Sequence, residues 1–468
     1  MKSDIFLNST LAYCSHCGKT ELARMVARES GVFMERVCPV RGTQRIKIVA
    51  DYRWYREKMV IPQEIIKPVL PKPLQTGCPN DCGLCEAHTT PILLPIVSIT
   101  NQCNLNCPIC FTYNRYDHQY YKSLVEMRKI LKHITEQTQC IELINITGGE
   151  PSLHPNLFDI FAICRENGIN RITMNTNGLK IASDRKFAEK LKECGVQLVL
   201  SLDTLDSAKS KIIHGKDIVA KKRQALEIIE ELQIPTTILA VCIKEVNEAD
   251  VVEIVHTYFH KSFVRGITIQ NMTFTGENGS QFEPRDHITI DEIEKLLANR
   301  GEFAQTDFFP LGSYHPLCYS VAYYILHNHK LLSLSKLIDR AILTKSSGNS
   351  YLLNGQQDFS THFAEGINRL WAEGEDETLI KMLKDFLKEL YPTNRILTAQ
   401  ERINIAEKRV KAIYIHPHMD ADNFDIDRVS RCGDIVPDES GRMVPACSYN
   451  LLYRQQDSHF WVEKKKSI

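Results

Sequence analysis

Cys103, Cys107 and Cys110 stand in the run Thr100-Asn101-Gln102-Cys103-Asn104-Leu105-Asn106-Cys107-Pro108-Ile109-Cys110-Phe111, where a Cys-x3-Cys-x2-Cys spacing delivers three thiolates from one short loop. A cubane of four irons and four sulfides ordinarily takes four cysteines, so three leave one iron open to a ligand that is not protein. The rival metal is zinc, whose loops more often pair cysteines as Cys-x2-Cys and require a fourth ligand. The chain beyond the triplet favours iron. A helix-like stretch leads to Ile141-Glu142-Leu143-Ile144-Asn145-Ile146-Thr147-Gly148-Gly149-Glu150-Pro151, a buried strand running into a glycine turn. Gly148 and Gly149 carry no side chain, so backbone there is expected to approach a bound cofactor, with the Glu150 carboxylate beside it. A plain structural turn is the other reading of the glycine pair.

Such groups need a scaffold. Further strands recur with helices between them, as a parallel α/β barrel requires. The runs 171–178 and 196–203 both end in small polar residues, Asn175, Asn177, Ser201 and Asp203. Residues of that kind at the carboxyl ends of barrel strands face the ligand side. The runs 237–242 and 266–272 complete a six-stranded partial barrel spanning about 91–295. The expected layout is a Cys-rich metal-binding segment over 1–90, this barrel over 91–295, a helical region over 296–410 and a second Cys-bearing segment over 411–468.

The triplet and the Gly-Gly-Glu turn resemble the radical SAM superfamily. That resemblance implies an α/β fold built on a partial (β/α)6 barrel, and a [4Fe-4S] cluster on Cys103, Cys107 and Cys110 whose open iron takes S-adenosylmethionine. It also implies reductive cleavage to a 5'-deoxyadenosyl radical that abstracts hydrogen from unactivated carbon, with a reductant such as ferredoxin or flavodoxin as partner. Gly148, Gly149 and Glu150 are implied to meet the methionine end of the cofactor. Asn175, Asn177, Ser201 and Asp203 are implied to touch its methionine or ribose, strand-end caps being the alternative.

With 468 residues, 43% of them hydrophobic, and a formal net charge of zero, the chain supports more than one core and carries no bias toward nucleic acid. No apolar run approaches the roughly 20 residues needed to span a bilayer, and no signal peptide opens the chain. A cytoplasmic location is expected, and sixteen cysteines in a reducing compartment read as metal ligands rather than disulfides. Nine of them lie outside the triplet in glycine- or proline-flanked settings: Cys14, Cys17 and Cys38; Cys78, Cys82 and Cys85; and Cys318, Cys432 and Cys447. Nine ligands suit two four-thiolate centres with one to spare, as auxiliary iron-sulfur or mononuclear iron sites. The preferred grouping joins Cys14, Cys17 and Cys38 to one member of the 78/82/85 loop, and Cys318, Cys432 and Cys447 to another. Metal binding would then fold two segments that read as small and loop-rich. Cys140, Cys164, Cys194 and Cys242 sit among apolar residues as small hydrophobes.

The tail from Tyr414 to Val429, containing His416, His418, Asp420 and Asp422, together with Cys432, Cys447 and the amino-terminal cysteine loops, resembles the tetraether lipid synthase family over nearly the whole chain. This resemblance implies auxiliary cubanes, a rubredoxin-like iron and the coupling of two lipid alkyl chains; similar proteins were formerly labelled pterin methyltransferases. One departure is Cys432-Gly433, where the family pattern has two adjacent cysteines. The run Ser320–Leu326 and the stretch Leu331–Leu343 read as helix-forming, lining either an alkyl tunnel or an ordinary core. Lys464, Lys465 and Lys466 could touch anionic headgroups in a peripheral membrane contact, a solvated tail being the other reading. His315, with His416 and His418, reads as support to a metal centre or as loop caps. A methyltransferase acting on a heterocycle, a peptide-modifying enzyme and a non-enzymatic metal protein remain as alternatives.

Overall fold

The computed structural model describes residues 4–460 apart from 15, 113–117, 139–140, 276–281, 283–286, 328–329, 349, 352–356 and 439. The expectations for Cys140 and for Lys464, Lys465 and Lys466 therefore lie outside the described residues.

The amino-terminal segment differs from the loop-rich expectation. Strands β1 (Ile5–Cys14), β2 (Lys19–Arg28), β3 (Gly31–Cys38) and β4 (Gly42–Val49) form a continuous antiparallel sheet. Ala23, Met25 and Ala27 alternate inward along β2, a period of two that gives the sheet one buried face. Cys14 and Cys17 flank the β1–β2 turn, and Cys38 ends β3. The helix Tyr52–Met59 follows, with Asp51 accepting from Arg53 N as its cap.

Strands β5 (Leu94–Ser98), β6 (Leu143–Thr147), β7 (Arg171–Thr176), β8 (Gln197–Ser201), β9 (Thr236–Cys242) and β10 (Val264–Asn271) pair in parallel in that order. Helices such as Leu124–Gln137, closed by a Ser123/Glu126 capping box, and Val219–Leu232 make the crossovers. Past β10 come β11 (Phe309–Pro310), β12 (Ser320–His327), β13 (Lys330–Ser333), β14 (Val410–Ile415), β15 (Asp434–Pro437) and β16 (Met443–Pro445). The sheet continues through them: β14 adds in parallel to β10, and β15 adds in parallel to β5 at the other edge. Side chains bring these two ends together. Asp434, opening β15, accepts from Tyr314 and Tyr319 at 2.7 Å each and lies 3.4 Å from His416 Nε2, just past β14.

Ser320–Leu326 is therefore strand, not helix, and in the stretch 331–343 only Arg340 onward begins an α-helix, running to Ser346. The reason lies in two cores meeting at β12. Ala322 and Tyr324 pack into the barrel core, whereas Val321, Tyr323 and Ile325 pack against the helices Gln357–Ala372 and Glu377–Leu390. A strand apolar on both faces has no alternation to distinguish it from a buried helix.

Candidate active site

The cysteine triplet occupies the loop after β5, and the glycine turn after β6 holds that loop by backbone. Gly149 N donates to Thr100 O at 2.8 Å, and Glu150 N donates to Gln102 O at 2.7 Å. A Cβ on Gly148 would meet Thr100 N at 3.0 Å, and one on Gly149 would meet the Gln102 carbonyl carbon at 2.6 Å. The glycines thus admit the backbone of the cysteine loop. Gly148 also sits at φ +143°, a conformation that favours glycine.

The strand-end residues converge on this loop. The buried Glu150 carboxylate accepts from Ser152 N at 3.1 Å, Thr176 Oγ1 at 2.8 Å and Asn177 N at 2.7 Å, tying the turn after β6 to the end of β7. Asn177 Nδ2 donates to Asn104 Oδ1 at 2.7 Å, reaching between the first two cysteines. Asn175 Oδ1 is buried without a hydrogen-bond partner among the described residues. Two residues that drew no notice in the sequence complete the arrangement. Lys222, from the helix Val219–Leu232, donates to Asn177 O at 2.8 Å, Ser201 O at 2.5 Å and Ser201 Oγ at 3.1 Å. Asp203 accepts from Val241 N at 2.7 Å and lies 3.6 Å from the Nε2 of His214, the second such residue, whose Nδ1 is 3.7 Å from Cys107 Sγ. Burial pushes Asp203 up to about 6 and His214 down to about 3. Lys222 sits among surface-like lysines and Asp203 ends an apolar strand, so neither pattern announced these contacts.

Beneath the loop lies a cavity of about 210 Å³ running through the barrel. Inward residues line it along each strand, as Arg171, Thr173 and Asn175 do on β7, and Tyr319, Tyr323 and Tyr414 close the side where the sheet ends meet. Polar wall groups satisfy one another laterally: Thr173 Oγ1 donates to Asn145 Oδ1 at 3.0 Å, Gln197 Nε2 to Thr237 Oγ1 at 3.0 Å, and Gln270 Nε2 lies 3.1 Å from His418 Nε2. Methyl, methylene and aromatic surface makes up most of what remains toward the lumen, beside Asn175 and the arginines Arg171 and Arg265.

Residues 97–258 match the family model described as the radical SAM superfamily, and this match spans the triplet, the glycine turn and the strand ends just described. The chain carries a radical SAM domain. A 7,8-dihydro-6-hydroxymethylpterin dimethyltransferase of Methanocaldococcus jannaschii is 27% identical over 98% of this chain and 95% of its own length. A GTP 3',8-cyclase of Aliarcobacter butzleri is 30% identical over 44% of this chain, which spans 62% of that relative. Among solved structures, SuiB of Streptococcus suis bound to S-adenosylmethionine superposes with a TM-score of 0.37 at 20% identity, over 46% of this chain and 48% of that one.

The residues present suit the cluster and cofactor of a radical SAM domain. Burial pushes the Cys103 thiol up to about 12 and raises Cys107 further, a penalty that a bound cation such as iron would offset. Leu105 N donates to Cys103 Sγ at 3.4 Å, and Cys110 Sγ lies 3.0 Å from Thr112 Oγ1.

The other cysteines fall into three places. The sulfurs of Cys14, Cys17 and Cys38 lie within 4.8 Å of one another, the one such cluster of metal-ligand groups found among the described residues. Cys318, Cys432 and Cys447 line one small cavity together with His416, His418 and Arg428. There Arg428 Nε donates to Cys318 Sγ at 3.4 Å, and His418 Nδ1 lies 3.7 Å from Cys447 Sγ. Contact with the Cys78 thiol, and then burial, raise the Cys82 thiol, while Cys85 is buried in the same loop. Thr20 Oγ1 donates to Cys78 O at 3.3 Å, and Cys82 shares a core with Cys447, so this loop meets strand β2 and packs with the tail. Cys164 and Cys242 are buried in the barrel core, and Cys194 packs partly buried against it. His315 lies 3.4 Å from Asp427, and Asp420 lies 2.6 Å from His287 and accepts from Asp422 N at 3.0 Å, so these groups brace the tail loop. No helix among the described residues is long and apolar enough to cross a membrane.

Proposed function

We propose that this radical SAM enzyme joins lipid alkyl chains by forming a carbon–carbon bond between unactivated carbons. The observation that carries the reading is the barrel lumen, whose surface is mainly apolar and aromatic and several of whose polar wall groups are paired with one another. A flat heterocycle would need unpaired donors and acceptors along that wall. An alkyl chain needs none.

When bound on Cys103, Cys107 and Cys110, a [4Fe-4S] cluster supplies the electron that cleaves S-adenosylmethionine to methionine and the 5'-deoxyadenosyl radical, which takes hydrogen from the substrate carbon. The chain's own residues hold the geometry. Glu150 fixes the turn to β7, Asn175 offers its free oxygen, and Lys222 locks the ends of β7 and β8. In this reading Asn177, Ser201 and Asp203 would line the cofactor side, Asn177 and Ser201 held by Glu150 and Lys222. Cys14, Cys17 and Cys38 would hold one auxiliary iron centre, completed from the 78–85 loop, and Cys318, Cys432 and Cys447 a second. These centres pin both ends of the chain to the barrel or relay electrons. A small electron carrier and peripheral contact with a membrane accompany this reading.

The Methanocaldococcus relative favours a second reading, methyl transfer to a pterin, because its similarity covers nearly the whole chain. The deciding experiment incubates anaerobically reconstituted enzyme with dithionite, S-adenosylmethionine and either a cellular lipid extract or a reduced pterin. Deoxyadenosine released together with lipid masses that have lost paired hydrogens supports chain coupling. Pterin mass gain with unchanged lipid would replace it.

A further inference from the structure

The end of the lumen away from the cysteine loop carries two arginines. Arg171 opens β7 and Arg265 lies near the start of β10, and both line the cavity there beside Ile403, Ala406 and Glu407. Arg171 is 12% exposed at its side chain, and its guanidinium is paired with the Glu407 carboxylate, which is 32% exposed. Arg265 is close enough to Arg171 to oppose its charge, and the ion pair of Glu407 is with Arg171. Glu142 also acts on Arg171 but is held aside by Ser350, whose Oγ donates to it at 2.6 Å. Lys411, which lies close enough to Arg265 to feel its charge, is committed to Phe259 O at 2.7 Å and Lys261 O at 2.6 Å. Guanidinium forks match phosphate and carboxylate oxygens in paired hydrogen bonds. The strand between this end and the cysteine loop has six residues, a span of about 20 Å at roughly 3.3 Å per residue.

We propose that Arg171 and Arg265 receive the anionic head, phosphate or carboxylate, of an amphiphilic substrate whose alkyl chain threads the lumen toward Cys103, Cys107 and Cys110. Glu407 occupies the Arg171 fork until the head displaces it. This rests on the lipid reading above and adds the orientation in which such a substrate binds: head at the amino-terminal end of the barrel strands, reacting carbon at the carboxyl end.

The test measures binding of hexadecyl phosphate, hexadecanol and inorganic phosphate to the anaerobic holoenzyme, and to Arg171→Gln, Arg171→Lys, Arg265→Gln and Glu407→Gln. Hexadecyl phosphate should bind the wild type at least tenfold more tightly than hexadecanol, weaken at least tenfold in each Arg→Gln variant, recover partly in Arg171→Lys and tighten in Glu407→Gln. The Glu407→Gln gain is a change opposite in sign to any loss from misfolding. Equal binding of hexadecyl phosphate and hexadecanol would overturn the head site and leave the alkyl lumen standing. Inorganic phosphate binding as tightly as hexadecyl phosphate would reduce the pair to a free-anion site and overturn the amphiphile. Binding of neither alkyl compound would remove the lumen reading and the head site with it.

Discussion

Gly149 packs so tightly against Gln102 that an added side-chain carbon would overlap the Gln102 backbone carbonyl. The cysteine loop and the turn after β6 are therefore one backbone unit, joined by the Gly149–Thr100 and Glu150–Gln102 hydrogen bonds. In Gly149→Ala one of the two backbones must move, and backbone cannot yield cheaply. The expected outcome is loss of both hydrogen bonds and displacement of Cys103. Reconstituted iron and the absorbance of the triplet cluster should fall by at least half in a background where the other nine candidate ligands are replaced by Ser or Ala, while far-ultraviolet circular dichroism stays close to the parent's.

Lys222 is a buried cation whose ammonium serves three oxygens, two of them on Ser201. Lys222→Met keeps the volume and removes the donors. Each buried acceptor left unpaired costs about 1–3 kcal/mol. Asp203, which Lys222 holds down electrostatically, should move further up. Thermal denaturation should show a loss of several kcal/mol, and S-adenosylmethionine affinity should fall with it. A melting temperature equal to wild type would show that the lysine does not brace these strand ends.

The parts legible in sequence are those in which spacing alone carries geometry. Cys103, Cys107 and Cys110 announced a radical SAM domain, and the runs 171–178 and 196–203 announced barrel strands, because a loop of fixed length and a period of apolar residues survive without tertiary context. Lys222, Arg171 and Asp434 were illegible. Each is a charged residue whose burial depends on partners 20 to more than 200 positions away, as with Arg171 and Glu407. β12 misled for the opposite reason: with both faces buried it lost the alternation that marks a strand. The amino-terminal sheet was hidden by its exposed face, where Phe6, Leu11 and Leu22 remain about half or more open to solvent and break the pattern of apolar-inside.

Cys447 lines the cavity that also holds Cys318 and Cys432, with Met419 N donating to its sulfur at 3.4 Å. If these thiols hold iron, Cys447→Ala should lower total iron per chain while leaving the cluster on Cys103, Cys107 and Cys110 able to cleave S-adenosylmethionine. Cys164→Ala, in the barrel core, serves as the control and should leave iron unchanged. Unchanged iron in Cys447→Ala would remove the tail from the ligand set.

Glu294 is fully buried and joins three parts of the chain. Lys58 Nζ lies 3.2 Å from Oε1, Trp54 Nε1 donates to Oε2 at 2.6 Å, and the Ser320 hydroxyl donates to Oε1. The helix Tyr52–Met59 is thereby fastened to the barrel and to β12. Glu294→Ala strands the Lys58 ammonium in a dry site, and removal of one partner of such a pair costs about 3–5 kcal/mol. Lys58→Met/Glu294→Leu removes both charges and should be markedly more stable than the single variant in urea denaturation. A double variant no better than Glu294→Ala would mean the packing, not the charge pair, matters there.

His88 is buried with Nε2 2.8 Å from Cys432 O, so its ring is a neutral donor to that carbonyl, and burial lowers its pKa to about 4. His154 is lowered by burial in the same direction, with Nε2 3.0 Å from Lys122 O and Nδ1 accepting from Asn156 N. Well above pH 6.5, from about pH 7.5, both rings are essentially neutral whether the chain is folded or not, and they contribute almost no pH dependence. As pH falls from there toward 4 the unfolded chain binds protons that the folded chain refuses. Folding stability must then decline, by up to about 1.4 kcal/mol per pH unit for each ring, levelling off once His88 protonates in the folded state. Asp203 and Asp434, raised by burial to about 6, act in the opposite sense, since the folded chain holds their protons more tightly over much of the same range. The histidine contribution is therefore read as a difference: wild type minus His88→Gln stability, measured in urea at pH 7.5, 6.5, 5.5 and 4.5, should shrink steadily below pH 6.5. A difference that stays constant across the series would show that His88 titrates alike in both states and is not held neutral by its burial.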